Sequence, residues 1–218
     1  SAGRMLRREI IERLQEEQIY VRSLPSLSNI IEGSVTVNDL REIQIEELLG
    51  RDAVAPNEVL MGRTIVGKAV LVSGAGGSIG SELCRQILRC HPARLILLEQ
   101  SEFALYVIEQ ELSEMSRALG IDVPIILELG NVAERSTPMR IYRNHRPDTV
   151  FHAAAYKHVP IVEANPISGV RNNVLGTLYS VEAAEANGVS HFTLISTDKA
   201  VRPTNIMGAS KRVCELIL

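Results

Sequence analysis

The stretch "SGAGGSIGSELCRQIL", residues 73–88, places Gly74, Gly77 and Gly80 in a GxxGxxG pattern between an apolar run, "AVLVSG" (69–74), and an amphipathic stretch. Glycines at a strand-to-helix junction permit a tight turn. They let backbone amides approach a pyrophosphate and let the helix pack closely on the strand, with the anion at the helix's positive end. A plain structural turn is the competing reading of a glycine triplet. The strand-turn-helix context favours a dinucleotide cradle, with Gly74, Gly77, Ser78, Ile79 and Gly80 as its loop.

Working outward, four more apolar runs follow: "RLILLE" (94–99), "PIILELG" (124–130), "DTVFHAAA" (148–155) and "HFTLIS" (191–196). Between them, Leu105, Ile108, Leu112, Met115 and Leu119 keep a helical spacing of three and four, and Asn165-Pro166 opens a further helix that Gly188 closes. Alternating strand and helix signals imply right-handed crossovers, and so an α/β fold with a doubly wound parallel sheet, a Rossmann-type core. The first sixty residues differ. A charged helix-like segment (4–18) and a short apolar run (19–24) precede "VNDLREIQIEELLG" (37–50), which reads as a helix capped near Asn38 and ended by Gly50. "RDAVAPNEV" (51–59) reads as a connector. The expected division is an inter-domain helical and strand region over 1–60 and a cofactor-binding core over 61–218.

Bulk properties narrow the partners. With 218 residues and 45% apolar side chains a packed core is affordable, and a net charge of -3 without basic clusters beyond the first fifteen residues argues against nucleic acid. Cys84, Cys90 and Cys214 show no CxxC spacing, which suits reduced, buried thiols and no metal. No apolar run approaches the ~20 residues of a membrane span, and the start does not resemble a signal peptide.

Further along the predicted sheet edge, Glu99 ends the second strand where a carboxylate would accept hydrogen bonds from the adenosine ribose; an exposed strand-end acid is the alternative. No arginine lies in the glycine loop or just after Glu99, so NAD is favoured over NADP. Asn131 and Val132 follow the third strand, where the Asn amide can meet the adenine edge or simply form a turn. Ala153, Ala154 and Ala155 end the fourth strand with small side chains, suited to a cofactor's flat groups or to tight packing.

The final strip, "STDKAVRPTNIMGASK" (196–211), has the layout of a nucleotide-dependent oxidoreductase site, but Met207 stands four residues before Lys211, where a tyrosine would accept a proton. A thioether cannot exchange protons near neutral pH. Taken with "GAGGSIGSEL", "HAAAYKHVPIVEANP" and "NNVLGT", in this order and spacing, the strip resembles the extended short-chain dehydrogenase/reductase superfamily. Within it the likeness is to polysaccharide-biosynthesis nucleotide-sugar 4,6-dehydratases, and most of all to the large membrane-anchored UDP-N-acetylglucosamine 4,6-dehydratases that retain configuration. Members of that subgroup are known for methionine at the tyrosine position, so the resemblance argues against a dead site.

The resemblance also implies roles. Asp198 is the acid and Lys199 the base, against a surface ion pair as the alternative. An acid needs a raised pKa, so burial of Asp198 is expected, together with separation or strong desolvation of the pair. Thr197 can hydrogen-bond the sugar's C4 oxygen. Lys211, on one helix face with Met207, can bind the nicotinamide ribose or be a solvated helix lysine. Asn173 matches the superfamily's active-site asparagine or sits on a helix surface, and Lys157 and His158 are substrate candidates or merely solvated. The implied partner is UDP-N-acetylglucosamine or a similar UDP-sugar, with no nucleic acid, and a homo-oligomer stays open. The implied full-length protein lies at the cytoplasmic face of the bacterial inner membrane, anchored by absent upstream helices and capped by an absent downstream domain. The chain itself reads as a soluble cytoplasmic fragment. A nucleotide-sugar 4-epimerase and a non-catalytic NAD-binding module are the competing readings.

Overall fold

The computed structural model describes residues 22–23, 41–42 and 58–218. The chain divides into two units, Ser1–Pro56 and Asn57–Leu218. In the first, β1 (Arg22–Ser23) pairs antiparallel with β2 (Arg41–Glu42). At these two residues the helix expected over 37–50 is a strand instead. "EIQIE" already carries a period of two in competition with the helical spacing. The other expectations for 1–57 lie outside the described residues.

The second unit opens with α1 (Glu58–Ile65), which begins inside the stretch read as a connector. There follow β3 (Ala69–Ser73), α2 (Ser78–Arg89), β4 (Arg94–Glu99), α3 (Glu102–Leu119), β5 (Ile125–Leu129), α4 (Ser136–His145) and β6 (Thr149–His152). Next come α5 (Val159–Ala164), α6 (Pro166–Val170), a π turn (Arg171–Leu175), α7 (Gly176–Ala186), β7 (His191–Leu194), a 3-10 turn (Asp198–Ala200) and α8 (Ile206–Ile217). All five predicted core strands are present, and they form one parallel sheet in the order β5-β4-β3-β6-β7.

Why this sheet is doubly wound is visible in the two central strands. Val70, Val72, Leu95 and Leu97 face a core shared with Cys84, Ile87 and Leu88 of α2 and Leu105, Ile108 and Leu112 of α3. Leu71, Ile96 and Leu98, one residue out of step, face a second core with Ile141 and Tyr142 of α4 and Ala183 and Ala184 of α7. A strand buried on both faces reads as a continuous apolar run, as "AVLVS" and "RLILL" do. Each such side chain contributes about 1.5–3 kcal/mol by leaving water, so Leu97→Ala should cost about 2–5 kcal/mol. Strand order reverses between β3 and β6, and the crevice that opens there at the strands' carboxyl ends is where ligands of such sheets bind.

The helix expected from Asn165 to Gly188 forms, but the π turn interrupts it. Within the π turn the adjacent Asn172 and Asn173 are both buried, at 6% and 1% exposure. Cys84 and Cys214 are buried as expected, whereas Cys90 is only half-buried. Burial pushes the Cys84 thiol up to about 12. Among the described residues no helix is long and apolar enough to cross a membrane.

Candidate functional site

The glycine loop is built without slack. Gly74 takes φ +70°, and a Cβ there would lie 2.7 Å from the Ala154 amide nitrogen, so only glycine lets the end of β6 close on the loop. A Cβ on Gly80 would stand 1.9 Å from the Gly74 carbonyl oxygen, and on Gly77 a tight 3.3 Å, which a shift of a few tenths of an ångström would relieve. Gly76, which the GxxGxxG reading passes over, is as demanding: its Cβ would meet that of Ala104 at 2.5 Å. Gly77 caps α2 with no side-chain hydrogen bond, so no cap side chain satisfies the first amides of the helix, at Ser78, Ile79 and Gly80, and Gly77 itself lines the crevice.

Glu99 lies at the far side of the same cleft. Its Oε2 accepts the Gly76 amide at 3.0 Å, and its Oε1 accepts those of Gln100 at 2.9 Å and Ser101 at 3.1 Å. It is therefore neither a loose surface acid nor saturated, since a carboxylate has about four acceptor sites. Gly74, Gly76, Glu99, Val132, Ala153 and Ala154 line this cleft, with Ala155 beside them. Asn131 stands just outside, in an adjoining pocket with Tyr156 and Asn172. Its Oδ1 accepts the Ala133 amide at 2.8 Å, the turn-forming role, while its NH₂ keeps donor capacity.

Lys157, read as a substrate candidate or merely solvated, is exposed. Its Nζ donates to Ser78 Oγ at 2.7 Å, so the ammonium sits at the start of α2, over the cradle. No carboxylate among the described residues pairs with it. His158 is exposed and forms the N-cap of α5.

Asn173 is a bracket. Oδ1 accepts the Tyr156 amide at 2.8 Å and Asn172 Nδ2 at 3.1 Å, and Nδ2 donates to the Tyr156 carbonyl at 3.1 Å and Ser210 Oγ at 2.9 Å. All its hydrogen-bonding capacity is used, so it positions the "HAAAY" loop against α8 and has nothing left for a ligand. Beneath it lies a group that the sequence reading missed, His152, 1% exposed. Thr177 Oγ1 donates to the Asn173 carbonyl at 2.7 Å, so it must accept from His152 Nε2–H at 3.3 Å, which leaves Nδ1 to accept Ser73 Oγ–H at 2.7 Å. Burial, helped by the Lys211 charge, pushes the imidazole down to about 3, and the ring is neutral. The only signal in sequence was a histidine at the end of an apolar strand.

Met207 and Lys211 share a face of α8 and are buried, at 3% and 5% exposure. The solvated-lysine alternative fails here. Lys211 Nζ donates to the Ile195 carbonyl at 2.5 Å, and desolvation lowers its pKa. Helix α8 reaches the Thr197–Lys199 turn because position 208 is glycine: a Cβ there would meet the Lys199 carbonyl oxygen at 2.2 Å.

Asp198 and Lys199, expected as acid and base, contradict the expected burial. Asp198 is 88% and Lys199 50% exposed, and Nζ lies 3.5 Å from Oδ1, an ion pair on the surface of the described residues. The Thr197 hydroxyl donates to Asp198 Oδ1 at 2.9 Å. That hydrogen bond first, and the Lys199 charge second, hold the Asp198 carboxyl below its ordinary pKa. The two side chains are neither separated nor desolvated, because no described residue covers them.

Comparison with known proteins follows this geometry. The chain is 41% identical over 202 residues to the capsular polysaccharide biosynthesis protein CapD of Staphylococcus aureus, covering 93% of this chain and 33% of that protein. It is 31% identical to a UDP-N-acetylglucosamine 4,6-dehydratase (inverting) of Campylobacter jejuni, covering 66% of this chain and 40% of that one. Proteins named UDP-glucose 4-epimerase from Rickettsia match at 31–32%. Among solved structures, the dTDP-glucose 4,6-dehydratase DesIV of Streptomyces venezuelae, with NAD and TYD bound, superposes with a TM-score of 0.58 at 25% identity, covering 68% of this chain and 49% of that one. The chain thus spans about a third of the length of the first of these relatives. The family model described as "Polysaccharide biosynthesis protein" matches residues 70–218, from the first core strand through the last helix. With a parallel sheet wound around a glycine cradle and a lysine-bearing α8 beside it, this chain belongs to that polysaccharide biosynthesis family of extended short-chain dehydrogenases/reductases.

Proposed function

We propose that this chain is the NAD-binding core of a nucleotide-sugar 4,6-dehydratase that converts UDP-N-acetylglucosamine, or a similar UDP-sugar, to its 4-keto-6-deoxy form for surface polysaccharide. The observation that carries the reading is an Asp-Lys pair at the sheet's ligand edge, on the same strip as a buried lysine and a methionine in the proton acceptor's place. Simple hydride transfer needs no such extra acid and base.

The cleft fits a dinucleotide, since a Cβ at Gly74, Gly76 or Gly80 would fill it or break its wall. Gly76, Gly77 and the α2 amides would hold the diphosphate, with the Lys157 ammonium over it, and Glu99 the adenosine ribose. Three backbone amides hold the Glu99 carboxylate in place, so it cannot swing aside for a 2′-phosphate, which supports NAD over NADP. Bound there, NAD supplies the acceptor and donor of one hydride.

Oxidation at C4 must come first, because a C4 ketone acidifies the C5 proton. Elimination then needs an acid for the C6 hydroxyl and a base for C5 on one side of the ring. Asp198 and Lys199, 3.5 Å apart, suit that arrangement once the sugar and a covering domain exclude water. Such a cover, membrane anchoring and any oligomer belong to the longer protein this reading implies.

The test is incubation of a polypeptide carrying this chain at its relatives' length with UDP-N-acetylglucosamine and NAD. The expected product is lighter by one water. An epimerised sugar of unchanged mass would support the 4-epimerase, and an unaltered sugar the binding module.

A further inference from the structure

Between α4 and α7 lies a groove of about 560 Å³ that shares no residue with the cofactor cleft. One wall is α4, where Ser136, Met139, Arg140 and Arg143 recur at the three-and-four spacing that puts side chains on one helix face. The other wall is the end of α7 with its cap, Asn187. Ile141, Tyr142, Ala183 and Ala184 pack the two helices into one core, and the Arg135–Glu182 ion pair at 3.0 Å spans them, so the walls are held. Groups in this groove are left unspent. On α4, Arg135 and Arg140 each have a carboxylate, Glu182 and Glu128, whereas Arg143 has none among the described residues. Thr137, 8% exposed, lines the groove with its methyl turned toward Gly130, whose Cβ would stand 2.6 Å from it. Its hydroxyl has no hydrogen-bond partner among the described residues, and a group so enclosed is satisfied only by what enters the groove. Asn187 Nδ2 donates to the Ala183 carbonyl at 2.8 Å, and its Oδ1 keeps acceptor capacity.

We propose that this groove binds an organic phosphate of about sugar-phosphate size, at a site apart from the cofactor crevice. Long side chains on a helix lean toward its N-terminus, so Arg140 and Arg143 reach back toward Ser136 and Thr137. Arg143 presents its whole guanidinium fork, and Arg140, tied to Glu128 through one nitrogen, keeps its other donors; such forks match phosphate oxygens in pairs. The Ser136 and Thr137 hydroxyls add donors at the positive end of α4. The remaining groups suit the ester rather than the anion. Met139, 37% exposed, offers an apolar wall, and Asn187 Oδ1 accepts from a hydroxyl. The groove falls in the size range of small-molecule sites and holds far more than a free phosphate ion would fill, which favours an ester. No part of this inference rests on the dehydratase reading.

The test is titration of the isotope-labelled chain with glucose 1-phosphate at fixed ionic strength, followed by the backbone amide shifts in NMR. Saturable shifts are expected over residues 136–143 and at Asn187, with the amides of Ser78 and Ile79 at the cofactor cradle little moved. Arg143→Gln should weaken binding by about tenfold or more, and the isosteric Thr137→Val by about threefold or more, each with the melting temperature nearly unchanged. Inorganic phosphate should reach the same amides at least about tenfold more weakly, and glucose alone should move none of them. Shifts confined to the start of α2 would place the phosphate in the cradle and overturn the proposal. So would equal affinity for inorganic sulfate and glucose 1-phosphate, which marks simple ion pairing at exposed arginines, or the absence of saturation by about 10 mM. Each of these outcomes leaves the water-loss assay of the longer polypeptide untouched, so the two readings stand or fall separately.

Discussion

Two ends of one ligand edge are built to opposite tolerances. Around Gly74–Gly80 there is no room for a methyl group at three of the glycines, and a four-bonded Asn173 and a doubly bonded His152 fix the strand ends behind them. Around Asp198 and Lys199 the chain supplies one hydroxyl hydrogen bond, one ion pair and open solvent. The difference teaches which part of the chemistry this chain prepares by itself. Under the dehydratase reading, cofactor contacts would be shaped by backbone that cannot yield, whereas the Asp198-Lys199 pair would wait for a sugar and a cover to set its protonation. A carboxylate open to water and paired with an ammonium stays ionised, and only burial would raise its pKa.

The steepest way to break the contrast is Gly80→Ala, whose Cβ would collide with the Gly74 carbonyl at 1.9 Å. Expected is a loss of about 3 kcal/mol or more of stability, read by chemical denaturation, with loss of NAD binding. Gly77→Ala, with 3.3 Å of clearance, should cost under about 1 kcal/mol, and equal losses at both sites would refute the tight-cradle description. Next in size, Asn173→Ala leaves the Tyr156 amide and carbonyl without their partner and should cost about 2–3 kcal/mol.

A smaller effect appears with pH. His152 is held neutral down to about 3 in the folded chain, while an unfolded histidine protonates near its ordinary value of about 6.5. Between those values the unfolded state binds the extra proton, so stability falls as pH drops, by about 2 kcal/mol from pH 6.5 to 5. Melting temperatures of the chain and of His152→Gln across that range should differ in slope, and parallel curves would show that the ring does not stay neutral. At the loose end, Asp198→Asn with Lys199→Met should leave the melting temperature nearly unchanged, since the pair is exposed and screened by water. Smallest of all, Met207→Tyr should leave turnover of a full-length enzyme nearly unchanged, since under the dehydratase reading the C4 hydroxyl proton has a route that does not use residue 207; a large acceleration would count against that reading.

The strands and the glycine loop were legible because burial on both faces writes itself as unbroken apolar runs. Helix α4, "STPMRIYRNH", was not, since only Thr137, Pro138, Ile141 and Tyr142 of its ten residues are buried and its outer face is basic. The need for glycine at 76 and 208 was equally hidden, because it arises from Ala104 and from the Lys199 carbonyl, which are distant in sequence and close only after folding. Residue type did not disclose whether Asn173 touches a ligand or holds a loop; its four partners decide that. The expected burial of Asp198 failed for a related reason. A required pKa says what an acid needs when it acts, and says nothing of which part of the protein provides the cover.

Calorimetric titration of this chain with NAD tests the contrast most directly. Saturable binding that persists in the Asp198→Asn, Lys199→Met double variant and disappears in Gly80→Ala is the expected result. Absence of binding by the unaltered chain, or its loss in the double variant, would contradict the claim that these residues build the cofactor half on their own.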